Sequence, residues 1–274
     1  MAKPTYKVAI IDMYDGVENQ GMRCIKELLE REYEFAHFEY EIFEARQKNE
    51  MPQSVENFDL FLSTGGPGSP VVQTQKGEWT GNFAHLIDSI IDHNNRYNSK
   101  KGMLLVCYSF QLIVHQLKLA VVRERRSTSF GITSIYKTPD GKHDPIYNGL
   151  TNPFYVADFR DYQVVQPQVS AMKKRGMKIL SLEKIRPHIA LERAVTGIRF
   201  TPDIVGVQFH PEADPESMKD HFRTPEQKEK IIQAHGMAKY DQIMMRLNNK
   251  QAIQKTFDTV IPNFLRNAVV RLEG

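Results

Sequence analysis

Cysteine is scarce in this sequence: Cys24 and Cys107 are the only two in 274 residues. That argues against a disulfide-stapled secreted scaffold and fits a reducing compartment. Charge of one sign is lacking too, since 36 lysines and arginines face 33 aspartates and glutamates for a formal net charge of +3. A nucleic-acid binder carries a stronger positive field, so that class is set aside. The short basic clusters Arg123-Glu124-Arg125-Arg126 and Lys173-Lys174-Arg175 read as solvated faces. Long apolar runs are also missing: the start, MAKPTYKVAIID, is too short in apolar residues for a signal peptide. No stretch approaches the roughly 20 residues that cross a membrane. The expectation is a cytoplasmic protein that binds neither membrane nor nucleic acid.

What is present is ordinary for a folded chain, with 41% hydrophobic, 25% charged and 10% aromatic residues. The length allows one large domain or two small ones, and in either case a sizeable core.

Tyr6–Asp12, YKVAIID, reads as a buried strand, followed over Gly21–Tyr33 by Met22, Ile25, Leu28 and Leu29 at helical spacing. Glu39–Phe43 alternates as a second strand. Phe58–Ser63 forms a third, which stops at the turn-rich Gly65-Gly66-Pro67-Gly68. A helix is expected over Asn82–Tyr97, then a short buried strand over Met103–Val106 and a helix over Tyr108–Leu117. Strands alternating with helices imply a doubly wound, mostly parallel sheet covered on both faces, with ligands beyond the carboxyl ends of its strands. From about Thr128 the segments FGITSIYKT, FYVADFRDYQVV, KILSLE, HIALERA and GIRF suggest an antiparallel extension of that sheet. VGVQF, Val205–Phe209, is one more buried strand. Asp214–Gly274 reads as polar helix. The expected division is a domain over residues 1–215 and a helical C-terminal extension over 216–274, packed on the sheet or forming a homodimer contact.

Three places could carry chemistry. Cys107 directly follows a strand and opens a helix, which lifts its sulfur above the sheet and sets it in the positive end of the helix dipole. Taken alone, an inert core cysteine explains it as well. His210, just past a buried strand in GVQFHPE, can take a thiol proton and return it to a leaving amine. Glu212, two residues on, can orient that ring. Ser63-Thr64-Gly65-Gly66-Pro67-Gly68 closes the third strand with residues whose missing side chains let backbone N–H groups approach a ligand.

STGGPGSP, CYSFQ and GVQFHPE, in this order, resemble the class I glutamine amidotransferase family, and IDMYDGVENQG resembles the start of the small subunit of anthranilate synthase. The likeness spans roughly Tyr6 to Pro215, about three quarters of the chain. It implies a flavodoxin-like α/β fold and hydrolysis of the side-chain amide of glutamine, with Cys107 as nucleophile, His210 as general base and acid, and Glu212 as its partner. It also implies an oxyanion hole from the N–H groups of Gly66 and Tyr108, substrate contacts at Gly65, Gln111 and, loosely, Asp161, and neither metal nor cofactor. In that family glycine usually stands two residues before and two after the cysteine; here Leu105 and Ser109 stand there, so an altered elbow is expected.

Three functions remain open at this level. The chain could supply ammonia from glutamine to a separate synthase, since about 60 residues after Glu212 are too few for a second catalytic domain. It could be a free-standing hydrolase of γ-glutamyl amides or peptides. Or it could be an inert binding protein of the same fold, a reading favoured by Leu105 and Ser109 and opposed by the intact Cys107, His210 and Glu212.

Overall fold

The computed structural model describes residues 3–17, 19–73, 77–186, 191–249 and 253–274. In chain order its elements begin with β1 (Thr5–Asp12), α1 (Gln20–Glu30), β2 (His37–Glu44), α2 (Ala45–Lys48), β3 (Leu60–Ser63), α3 (Pro70–Gln73) and α4 (Glu78–Arg96). The middle holds β4 (Gly102–Val106), α5 (Tyr108–Gln116), β5 (Val121–Lys137), α6 (Pro139–His143), β6 (Phe154–Val165), α7 (Val169–Lys174), β7 (Lys178–Glu183), β8 (Val195–Arg199) and β9 (Ile204–Val207). The C-terminal helices are α8 (Pro215–Arg223), α9 (Pro225–His235), α10 (Met237–Asn248), α11 (Ile253–Phe257) and α12 (Val260–Glu273).

The strands form one sheet in the order β2-β1-β3-β4-β9-β8-β7-β5-β6. From β2 to β9 all neighbours are parallel, and from β9 to β6 all are antiparallel. The inner strands β3, β4 and β9, and most of β1, bury both faces and read as apolar runs, whereas the edge strand β2, HFEYEIFE, alternates. Val8 and Ile10 of β1 join Leu28 of α1 and Leu265 of α12 in one core; Ala9 and Ile11 join Phe83 of α4 and Phe110 of α5 in a second. The doubly wound arrangement expected from the sequence is thus present. The antiparallel half curls back on the parallel one, since Ala157 of β6 forms an antiparallel bridge with His210 just beyond β9. That return sets a strand near the chain's end of the sheet against the loop bearing the GVQFHPE motif.

Several boundaries differ from the sequence reading. β5 starts at Val121, well before Phe130, so the basic run Arg123–Arg126 lies in a strand rather than a loop. Arg123 and Glu124 pair with Gln163 and Tyr162 of β6, and a register shift between Glu124 and Ser129 takes residues 125–128 out of that ladder. Of HIALERA, residues 188–190 lie outside the described residues, and Leu191–Ala194 form no strand. β9 ends at Val207, and Gln208 and Phe209 already belong to the loop that carries His210.

Two of the C-terminal helices, α8 and α9, are capped by side chains the sequence places there. Asp214 accepts from Ser217 N before Pro215 opens α8, and Thr224 caps α9 ahead of Pro225. Phe222, Ile231, Tyr240 and Ile243 close a third core over Ile132 and Ala157 of the antiparallel strands. α12 lies on the parallel half, with Val260, Ile261 and Leu265 fully buried. Among the described residues no helix is long and apolar enough to cross a membrane.

Candidate active site

Cys107 lies between β4 and α5 with φ 49° and ψ −96°. A non-glycine residue in the left-handed region is strained, and such strain persists where the surroundings over-determine the turn. Three features fix it here. The Cys107 N–H donates to Val207 O at 2.8 Å, extending the β4–β9 ladder. Its carbonyl accepts from Gln111 N at 3.0 Å, starting α5. The Ser109 hydroxyl accepts from Val106 N at 2.9 Å and lies 3.1 Å from Ser63 O, tying the elbow to β3. Ser109 therefore does by hydrogen bonding what a glycine would do by absence. Leu105 is fully buried and pairs in register with Gly206 of β9. A Cβ on Gly206 would stand 2.7 Å from Phe110 Cδ2 and 3.4 Å from Leu105 Cβ. The close packing of strand and helix is kept, with the glycine on the neighbouring strand.

His210 faces this sulfur. Its Nδ1 lies 2.7 Å from Glu212 Oε1, and its ring stands against the cysteine, a Cβ on Gly65 meeting His210 Cε1 at 2.8 Å and Cys107 Cβ at 3.4 Å. Burial disfavours the charged ring, but the negative charge of Glu212, with Cys107 and both hydrogen bonds, raises the His210 pKa well above the ordinary imidazole range. Glu212 is buried, with Oε2 unpartnered among the described residues.

Gly65 and Gly66 close the site from β3. A Cβ on Gly65 would meet His210 Cε1 at 2.8 Å and Cys107 Cβ at 3.4 Å; one on Gly66 would meet the Met13 carbonyl oxygen at 2.1 Å. Only residues without side chains fit there without movement. Tyr108 is the first residue of α5, where helix geometry leaves N–H groups without an intrahelical acceptor. Such a set of thiol, imidazole, carboxylate and helix start is what nucleophilic acyl transfer requires.

The class-I glutamine amidotransferase family model matches residues 9–226. The chain belongs to that family. Its fold is similar to that of a glutamine amidotransferase from Thermotoga maritima, with TM-score 0.65 and 17% identity over 97% of this chain and 98% of the other. A glutamine amido transferase from Methylobacillus flagellatus gives TM-score 0.56 and 13% identity over 97% and 96%. The glutaminase domain of Trypanosoma brucei CTPS, solved with bound acivicin, gives 0.51 and 17% over 76% and 86%. No curated protein matches.

In this amidotransferase domain Cys107, His210, Glu212, Gly65, Gly66 and Tyr108 come together at the carboxyl ends of β3, β4 and β9. Gln111 is buried beside them, with both amide donors engaged, at 3.0 Å to Tyr162 O and 2.9 Å to Gln208 Oε1. Asp161 is exposed and accepts from Thr128 Oγ1 at 2.6 Å. It shares a face of β6 with Phe159, whose ring centre lies 6.2 Å from that of His210.

Other residues at the site were missed in the sequence. Gln208, fully buried, points Nε2 at Cys107 Sγ at 3.7 Å, so the glutamine of GVQFHPE links the elbow to Gln111. Tyr14, at the end of β1, is buried, and its phenol is raised well above its ordinary range by burial and by the charges of Glu212 and Cys107. Arg46 of α2 donates to the carbonyls of Met13 at 2.8 Å and Pro67 at 2.7 Å and lies 4.7 Å from the Tyr108 ring centre, bracing the double-glycine turn. Arg160 is buried between Asp158 and Glu183, with Arg125 also on Glu183. A charged residue at an inward position of a strand is a signal that strand alternation could have revealed for Arg160; Tyr14 and Arg46 gave none.

Proposed function

We propose that the chain hydrolyses the side-chain amide of glutamine through a γ-glutamyl thioester on Cys107. The observation that carries this reading is the elbow: a strained cysteine at a helix start, with His210 on its sulfur and Glu212 on the far nitrogen of the ring. The thiolate attacks the amide carbon, and the N–H groups of Gly66 and Tyr108 stabilise the oxyanion. The C–N bond breaks as His210 gives its proton to the leaving nitrogen, and ammonia departs. His210 then takes a proton from water, whose oxygen attacks the thioester carbon; the C–S bond breaks, glutamate leaves, and the proton passes to the sulfur. Gly65, Gln111 and Asp161 are the residues proposed to contact the substrate. Gln111 acts through its carbonyl oxygen or through Gln208, since its donors are engaged.

In the first reading a separate cytoplasmic synthase uses the ammonia. A second reading, a free-standing hydrolase of larger γ-glutamyl amides, is favoured by the space next to His210 described below.

The test is to treat the protein with acivicin, the compound bound in the T. brucei glutaminase domain, and map any adduct by mass spectrometry. Labelling at Cys107 that glutamine prevents and Cys107→Ala abolishes is expected. No adduct, or an adduct at Cys24 alone, would leave the inert reading.

A further inference from the structure

We infer that the cavity next to His210 is a subsite for the leaving amine, selecting γ-glutamyl amides whose nitrogen carries an uncharged apolar or aromatic group. The inference rests on the thioester reading above. The cavity measures about 720 Å³, and His210 and Glu212 form part of its wall. That volume is within the range of small-molecule sites. The group that protonates a departing nitrogen must lie within hydrogen-bond reach of it, so a substituent on that nitrogen begins at His210. Ammonia needs no space beyond the ring, and glutamine alone leaves the cavity unused.

The wall defines the substituent. Phe130, Phe159, Phe222 and Met218 supply an apolar surface. The rings brace one another, Phe130 and Phe159 at 5.1 Å between centres and Phe159 and Phe222 at 6.2 Å, both edge-on, an arrangement that suits a further aromatic group. Neither lysine nor arginine lines the cavity, whereas Glu212 and Asp214 do. An amine carrying a carboxylate, as in a γ-glutamyl dipeptide, would face Glu212 and Asp214, while the cations nearby are already engaged, His210 by Glu212 and Arg23 by Glu27 and Ser217. A second positive charge gains little either, because Glu212 pairs with His210 through Oε1 with its Oε2 shut away from solvent, and Asp214 accepts from Ser217 N at 2.8 Å with Arg23 3.9 Å away. A neutral apolar group is what remains. The step balances as before, with the primary amine leaving in place of ammonia.

Steady-state kinetics of the full chain test this with glutamine, γ-glutamyl ethylamide, γ-glutamyl benzylamide and γ-glutamylglycine, using the two amides to separate size from leaving-group basicity. The expected order of kcat/KM is benzylamide above ethylamide above glutamine, with roughly tenfold or more between the ends, and γ-glutamylglycine lowest. Phe130→Ala and, independently, Met218→Ala should lower kcat/KM for the benzylamide while leaving that for glutamine within about twofold. If glutamine is used best while Cys107 still forms the acyl-enzyme, the subsite is lost and the thioester reading stands. Preference for γ-glutamylglycine would also overturn the subsite. If no substrate acylates Cys107, the thioester reading itself fails.

Discussion

Ser109 carries more structure than its size suggests. Its oxygen accepts from the otherwise interior Val106 N–H and lies 3.1 Å from Ser63 O. Ser109→Ala would leave a buried donor and a buried acceptor unmatched, and a loss of about 1–3 kcal/mol is expected in urea unfolding. His210 sets a second prediction. Its pKa in the fold lies well above the ordinary imidazole value. The pair with Glu212 therefore contributes its full stability below the unfolded pKa of about 6.5 and loses it as pH rises through the folded value. The stability difference between the wild type and His210→Gln, measured by denaturation, should be largest near about pH 6 and shrink in alkaline solution. Cys107, His210 and Glu212 were legible because each follows a recognisable strand end. Gln208 and Tyr14 were not, because nothing in their neighbours predicts that a side-chain amide reaches the Cys107 sulfur or that a phenol is buried near Glu212.

At the scale of elements, the site depends on how closely β4, β9 and α5 approach. Gly206 is the point of contact, where an added methyl would press on Phe110 and Phe200, at 2.7 Å and 3.0 Å. Gly206→Ala is expected to cost about 1–3 kcal/mol and to lower the Tm in a thermal melt. The same position shows how Leu105 is accommodated: the large side chain on β4 stands in register with a glycine on β9. The inner strands of the parallel half could be read from their apolar runs, because burial on both faces imposes that composition, and the edge strand β2 from its alternation. β5 could not be read to its full length, because a charged run follows Val121 and Val122 and the ladder with β6 is broken between Glu124 and Ser129.

For the whole molecule, the C-terminal helices are the deciding feature. Val260, Ile261 and Leu265 of α12 share a core with β1, β3 and β4, and α8 to α10 close the outer core that walls the cavity next to His210. We predict that ending the chain at Asn249 gives a protein without a cooperative thermal transition, since each large apolar residue removed from such a core is worth roughly 1.5–3 kcal/mol; a truncated chain with an unchanged melt and unchanged acivicin labelling would show the tail to be dispensable. By itself the sequence determined the alternation of strands and helices, the family and the three residues of the proposed acyl transfer, because periodicity and strand-end motifs are local properties of the chain. Only the tertiary structure decided that Ser109 and Gly206 rebuild the elbow, that Gln208 and Tyr14 meet the site, and that the tail roofs a cavity, because these depend on contacts between residues far apart in the chain.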